Sequence, residues 1–457
     1  MALLSLAVSL LIWLSGLVDS LSRPSVEGDL NLRQLELAVL AAPRLPVALR
    51  PLLTGRDPGG ALADALGGQI TRAAEAGAPA AADLRLEQAL LLRSLGRDAA
   101  AAPLLRELAA EPDTADAEAP AARLARWLLK PAAGARGQVA APPDLQRWSG
   151  QRPLVRLLSC RAVGGGASCD AEGTAQRAVL QLLAVTLLPA LILLVGAAAL
   201  LIELWQRWRG RSPALPPLEA LPLGGIDTVL LVAGGFVVVG ELLTPPLVTP
   251  LLTATLQTLA ITGPLRDGLS VLSLYLALMA GPLVILALML RGLGPAPREG
   301  WLLFRWQPLG PSLRRALRAL LMVLPLVSLV GWVQGQLWSD PGGSNPLLDL
   351  VLRSGDPAAL GCFALTAVVL APLFEETIFR GVLLPVAARE LGAARGVALS
   401  AAVFAVAHLS LSELLPLFTL GLGLGWLRLS SARLSSCVLM HALWNGLTFA
   451  NLVLLGS

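Results

Sequence analysis

Four stretches of this chain, Ala178–Ile202, Gly268–Leu290, Ala319–Ser339 and Cys437–Gly456, contain no acidic or basic residue. At about 1.5 Å per helical residue, runs of about 20 residues match the roughly 30 Å hydrocarbon core of a bilayer. Lipid offers backbone N–H and C=O groups no partner, so a spanning chain must form helices or a closed barrel. Long unbroken apolar runs, rather than short alternating ones, select helices. The expected fold is therefore all-α, a polytopic membrane bundle of about eight transmembrane helices. Composition agrees: of 457 residues 55% are hydrophobic and only 14% charged, with mean hydropathy +0.69, values outside the range of soluble domains. The net charge of +4 comes almost wholly from arginine, with Lys130 the one lysine. No basic block marks a nucleic-acid surface, so nucleic acid is excluded as a partner.

The chain divides into four parts. Residues 1–19 are apolar up to Asp19 and lack both a basic start and a small-residue cleavage pattern. A signal-anchor helix is favoured there over a cleaved signal segment. Residues 20–176 are polar, with interspersed charges and helical periodicity in Leu84–Ala110, and are expected to form a helical extramembrane domain with a flexible Pro/Ala stretch at Lys130–Pro143. The pattern around Leu95-Gly96 and Pro112 is similar to one tetratricopeptide helix pair, without a second copy at a fixed period. Residues 177–345 supply accessory transmembrane helices. Within them Pro245, Pro246 and Pro250 predict one span, a break and a partial second helix. Residues 346–457 form the last part. Arginines at 207, 209 and 211, at 291–318, and at 389, 395, 428 and 433 place those loops in the cytoplasm. The acidic loop Asp340–Asp356 and residues 20–176 fall on the other side, where Cys160 and Cys169 would form a disulfide.

Charge inside lipid is expensive, roughly 2.5–3.5 kcal/mol for a carboxylate at mid-bilayer. Yet Glu375-Glu376-x-x-x-Arg380 lies between apolar runs, and the chain's only histidines follow in Phe404-x-x-x-His408 and His441-x-x-x-Asn445. A spacing of four puts each pair on one helical face. Glu376 and Arg380 can then neutralise each other, while Glu375, about 100° further round the helix, faces something else. Phe404 sits one turn from His408 and can hold its ring. Measured from Arg389, Arg395 and Arg433, all four of Glu375, His408, His441 and Asn445 come about 12–21 Å deep from one side. A carboxylate beside imidazoles in a dry pocket suits water activation. Either Glu375 is the general base, or the histidines hold a metal whose water ionises; Asn445 and the second histidine would stabilise an oxyanion.

In this order, EExxxR, FxxxH and HxxxN across the last hydrophobic helices, the chain resembles the CPBP intramembrane proteases, which include CAAX-processing endoproteases and proteins linked to bacteriocin self-immunity. The resemblance covers about residues 346–457. It implies an endopeptidase in which Glu375 and His408 activate water, His441 and Asn445 complete the site, and Glu376, Arg380 and Phe404 support it. It also implies either Zn2+ on His408 and His441 or a metal-free glutamate-activated water. The substrate implied is a membrane-associated or CAAX-like polypeptide, the partner surface a lipid bilayer, and the setting a bacterial plasma membrane. A non-proteolytic scaffold or immunity protein is the alternative, and a proton-coupled transporter a third reading. Gly421-x-Gly423-x-Gly425 is read as close helix packing between the two histidine helices, and Glu413 as a residue of an outer turn.

Overall fold

Every regular element among the described residues is helical. The computed structural model describes the chain apart from residues 24–25, 76–79, 111–119, 130–151, 163–168, 212–213, 217, 219–220, 339–342 and 457. The Pro/Ala stretch Lys130–Pro143 and the Ser339–Asp340 junction lie outside the described residues. Two compact units result: residues 1–26 with 190–456, and residues 27–189.

The unit of residues 27–189 carries α2 (Glu27–Ala41), α3 (Pro58–Glu75), α4 (Ala80–Ser94), α5 (Asp98–Ala110), α6 (Pro120–Leu129) and α7 (Pro153–Ala162), after the N-terminal α1 (Ala2–Ser20) of the other unit. From α3 to α6 each helix packs on the next. Leu62, Leu66, Leu86, Leu91, Leu105 and Leu108 are wholly buried between them. One polar knot crosses this core. Arg152 donates through both terminal nitrogens to Glu87, at 2.7 Å each, and also to Glu36. Burial pushes the Glu87 carboxyl up to about 7 against the opposing pull of Arg152. Cys160 and Cys169 form the expected disulfide, their Cα atoms 5.7 Å apart.

The larger unit is the membrane bundle. Among the described residues eight helices are long and apolar enough to cross a bilayer: α1, α8 (Ala171–Trp208, counted in the larger unit from Ala190), α9 (Gly225–Thr258), α10 (Gly263–Gly292), α11 (Leu309–Leu337), α13 (Pro357–Leu391), α15 (Leu414–Ser431) and α16 (Leu434–Gly456). The short α12 (Pro346–Arg353) precedes α13, and α14 (Ala393–Val406) precedes α15. At 14 residues α14 is about 21 Å long, too short to span.

The break expected at Pro245 and Pro246 does not occur, and α9 is continuous. Its first half, Leu230–Leu243, is wound as a wider π-helix, and the prolines fall at the first positions of the α-helical half that follows. There a missing N–H costs least. Thr244 returns both its N–H and its hydroxyl to the Val239 carbonyl, the latter at 2.8 Å, so the junction keeps its hydrogen bonds.

Helix α1 packs along α9. Ser9 donates to the Ala233 carbonyl at 3.0 Å and the Trp13 indole to Glu241 at 3.2 Å. Arg428 is 1% exposed in the bundle, donating to the Arg380 and Leu302 carbonyls. The glycine stripe of α15 does allow close approach, with a partner set unlike the expected one. A Cβ at Gly421 or Gly425 would strike Ala401 or Val397 of α14 at 2.9 and 2.8 Å, whereas one at Gly423 would strike Val323 of α11 at 2.4 Å. One histidine segment and an accessory helix are brought in, rather than both histidine helices.

Candidate active site

Helix α13 is not uniformly wound. Leu365–Leu370 and Thr377–Leu383 are π-helical, with an α-helical turn, Ala371–Glu376, between them. That turn presents the two glutamates, and π-bulges of this kind recur at functional sites. Glu376 points into the bundle and is fully buried. Its Oε1 accepts from Arg380 Nη1 at 2.8 Å and from His441 Nδ1 at 2.9 Å. Arg380, equally buried, also donates to the Gly421 carbonyl and lies 4.3 Å from the centre of the Phe404 ring. The expected Glu376–Arg380 pair is present, and it carries a third member, His441, that spacing within one helix does not reveal.

Glu375 faces the other way. Its Oε2 stands 3.9 Å from His408 Nε2 and 3.9 Å from His441 Nε2. Its Oε1 accepts from the Tyr275 hydroxyl of α10 at 3.4 Å. A separation of 3.9 Å is too long for a hydrogen bond, and Oε2 is buried without a partner among the described residues. His408 lies two residues past the end of α14, so its backbone belongs to a turn rather than to the helix. Its Nδ1 bonds the Phe404 carbonyl at 2.8 Å, and the two rings meet at 4.7 Å.

The tautomers follow. A carbonyl only accepts, so His408 Nδ1 carries the proton; His441 Nδ1 faces a carboxylate and carries one as well. In the neutral form of each ring Nε2 is then an acceptor, and both Nε2 atoms face the one free oxygen of Glu375. Three acceptors converge and call for a donor between them. Asn445, one turn beyond His441, donates through Nδ2 to the Ala367 carbonyl at 2.8 Å. Exposure grades across the site, with the His441 side chain at 3%, Glu375 at 17% and His408 at 21%.

Zinc holds nitrogen and oxygen ligands at about 2.0–2.2 Å in a tetrahedron, which sets neighbouring donors roughly 3.3–3.5 Å apart. The Glu375–His spacings are wider. Among the described residues no group of three or more His, Cys, Asp or Glu is gathered to hold a metal ion. A single water with hydrogen bonds of about 2.8 Å spans separations of this size.

Around the site runs an aromatic ladder. Phe236 of α9 meets Phe374 at 5.7 Å and Phe379 at 6.2 Å, Phe379 meets Phe404 at 5.5 Å, and Phe404 meets His441 at 5.6 Å. Two members of the site escaped the sequence reading. Tyr275 is the chain's only tyrosine, set in the uncharged run of α10, and that solitude was its one signal. Arg428 resembled an interfacial arginine, and nothing local distinguishes it.

Bundle and site together place a carboxylate and two imidazoles among apolar, membrane-length helices, and comparison with known families gives that arrangement a context. Residues 357–447 match the family model for type II CAAX prenyl endopeptidases described as Rce1-like. The chain thus carries an Rce1-like domain that agrees with a CPBP family intramembrane protease and contains all of Glu375, Glu376, Arg380, Phe404, His408, His441 and Asn445. Residues 27–180 match a domain of unknown function, DUF8675. No curated protein and no solved structure matches the chain.

Proposed function

We propose that the chain is an intramembrane endopeptidase that hydrolyses a peptide bond of a membrane-associated or CAAX-like polypeptide by means of a water held between Glu375, His408 and His441. The observation that carries this reading is the convergence of Glu375 Oε2 with the Nε2 atoms of both histidines in a half-closed site.

The water donates one hydrogen to Glu375 Oε2 and one to an imidazole Nε2, which leaves an oxygen lone pair for attack. As it attacks the scissile carbonyl carbon, its proton passes to Glu375. The second N–H of Asn445, beside the one given to Ala367, stabilises the oxyanion. Glu375 then returns the proton to the leaving amine nitrogen as the C–N bond breaks. Tyr275 holds the other carboxylate oxygen, and Glu376 holds His441 in the tautomer whose Nε2 accepts. Residues 20–176 lie on the non-cytoplasmic side in this reading, and their disulfide accords with that compartment.

The test is cleavage of a farnesylated peptide with a C-terminal CAAX sequence by purified protein in detergent, with membrane proteomes of cells carrying the parent or Glu375→Gln compared in parallel. Glu375→Gln and His408→Ala should each abolish cleavage in folded protein. If either variant processes the peptide, or the cells' own accumulating precursors, at the parent rate, the enzymatic reading fails.

A further inference from the structure

The turn bearing His408 is held from an unexpected direction. Helix α14 stops at Val406; Ala407 N–H still reaches Val403 O at 3.0 Å, and then only short local bonds remain, His408 N–H to Ala405 O at 3.3 Å and Leu409 N–H to Val406 O at 3.0 Å. Leu409 then adopts φ +51°, the left-handed region, which a residue with a Cβ enters only at a steric cost. Such a conformation persists only where the surroundings over-determine it.

Those surroundings are the end of α1. Arg23 Nη2 donates to the Leu409 carbonyl at 2.7 Å and to the Gly16 carbonyl at 3.1 Å. Ser20 Oγ accepts from Leu411 N–H at 3.3 Å while donating to Leu17 O at 2.7 Å. The Ser20 carbonyl accepts from Gly343 N–H at 2.6 Å, and Ser410 Oγ donates to the Gly343 carbonyl at 3.0 Å, closing the circuit. Ser20 and Ser410 are both wholly buried. Gly16 makes room for the Leu409 side chain, since a Cβ there would lie 2.9 Å from its Cδ1. Gln334 of α11 reaches only the far end of the turn, at the Ser412 carbonyl.

We infer that residues 1–23 are retained as a working part of the folded protein and that Arg23, assisted by Ser20, is a positioning residue that fixes the turn aiming His408 Nε2 at Glu375. Arg23 touches neither the water nor the substrate; it acts through Leu409, the covalent neighbour of His408. The part of this inference concerning catalysis rests on the endopeptidase reading above.

The chain's two histidines make the test direct. Ring nitrogen-15 spectra of full-length protein in detergent give one set of signals for His408 and one for His441. Arg23→Ala should shift the His408 ring signals and leave those of His441, which is held by Glu376, in place. Arg23→Lys, which can still donate to Leu409 O, should restore them in part. On the farnesylated peptide Arg23→Ala should lower kcat by about 10- to 100-fold, the loss expected of a misplaced catalytic group, with KM within about twofold. Should Arg23→Ala disturb both histidines, Ser20→Ala, which removes a smaller contact, decides the matter by moving His408 alone. His408 signals that superimpose on the parent's in Arg23→Ala, or in Ser20→Ala in that second case, overturn the inference. Because the spectra need no substrate, a protein without peptidase activity but with a displaced His408 would refute the enzymatic reading and leave the positioning role standing.

Discussion

Glu375 and Glu376 are neighbours with opposite energetics, and substituting each by glutamine separates them. Glu376 is wholly buried and accepts two charge-strength or polar hydrogen bonds, from Arg380 and His441 at 2.8 and 2.9 Å. Replacing it by glutamine keeps the shape and leaves the Arg380 guanidinium, also wholly buried, without a counter-charge. Removing one partner of a buried pair costs on the order of 3–5 kcal/mol. The side-chain amide recovers part of the hydrogen bonding, so a loss of about 3 kcal/mol is expected. Glu375 has one long contact, to Tyr275 at 3.4 Å, and an unpartnered Oε2. Its glutamine variant should lose less than about 1 kcal/mol, or gain slightly, as do many sites built for function rather than stability. The assay is unfolding of both variants in the same detergent, with peptide cleavage measured alongside. Glu375→Gln should be stable and inactive, Glu376→Gln destabilised. Equal stability losses, or a Glu376→Gln variant as stable as the parent, would refute the assignment of the ion pair to structure.

Further outcomes follow from other parts of the molecule. In the proposed metal-free mechanism cleavage should survive prolonged treatment with EDTA or phenanthroline; loss of activity that added zinc restores would show a metal enzyme. In residues 27–189, Glu87 holds its proton to about 7 when folded and to about 4.5 when unfolded. Unfolding at intermediate pH therefore releases a proton, so this contribution to stability is full below about pH 4.5 and is lost as pH rises toward 7. Hydrogen exchange in Ala80–Ser94, corrected for intrinsic rates, should show protection falling over that window, and Glu87→Gln should flatten the trend. Alkylation should label Cys160 and Cys169 only after reduction, and their loss should cost residues 27–189 about 2–3 kcal/mol for so short a loop.

Much of this architecture is legible in the sequence because lipid imposes strict rules. Uncharged runs of sufficient length have to be helices, and Cys160 and Cys169 sit close enough to pair. Charges within such runs need partners, so Glu376 and Arg380 could be matched four residues apart. Local rules fail where a contact crosses between helices. Tyr275 is about 100 residues from Glu375 and Arg428 is 48 from Arg380, and no periodicity links them. They fail again where winding changes. The prolines of α9 read as a break because an α-helix would suffer one, whereas the π-helical half upstream shifts the hydrogen-bond pattern so that they fall at a fresh helix start. His408 was placed on a helix by its spacing from Phe404. The i to i+4 contact is real, but it is made by a turn that Arg23 holds from the N-terminus.

The division of roles within the glutamate pair explains why the site tolerates its own cost. Neutralising Glu376 with Arg380 alone would satisfy lipid but leave His441 free to rotate and to choose either tautomer. Sharing the same carboxylate oxygen between Arg380 and His441 uses the charge already present to fix the imidazole, so that Nε2 is left as an acceptor. His408 reaches the same state by a different route, through a backbone carbonyl. With both rings committed at Nδ1, neither neutral ring donates from Nε2 to Glu375, whose Oε2 has no hydrogen-bond partner among the described residues. In the proposed mechanism the fixed tautomers leave Glu375 Oε2 and an imidazole Nε2 open to receive the two hydrogens of one water. If Glu376→Ala in folded protein left the His441 Nδ1 proton signal unchanged, this account of the pair would fail.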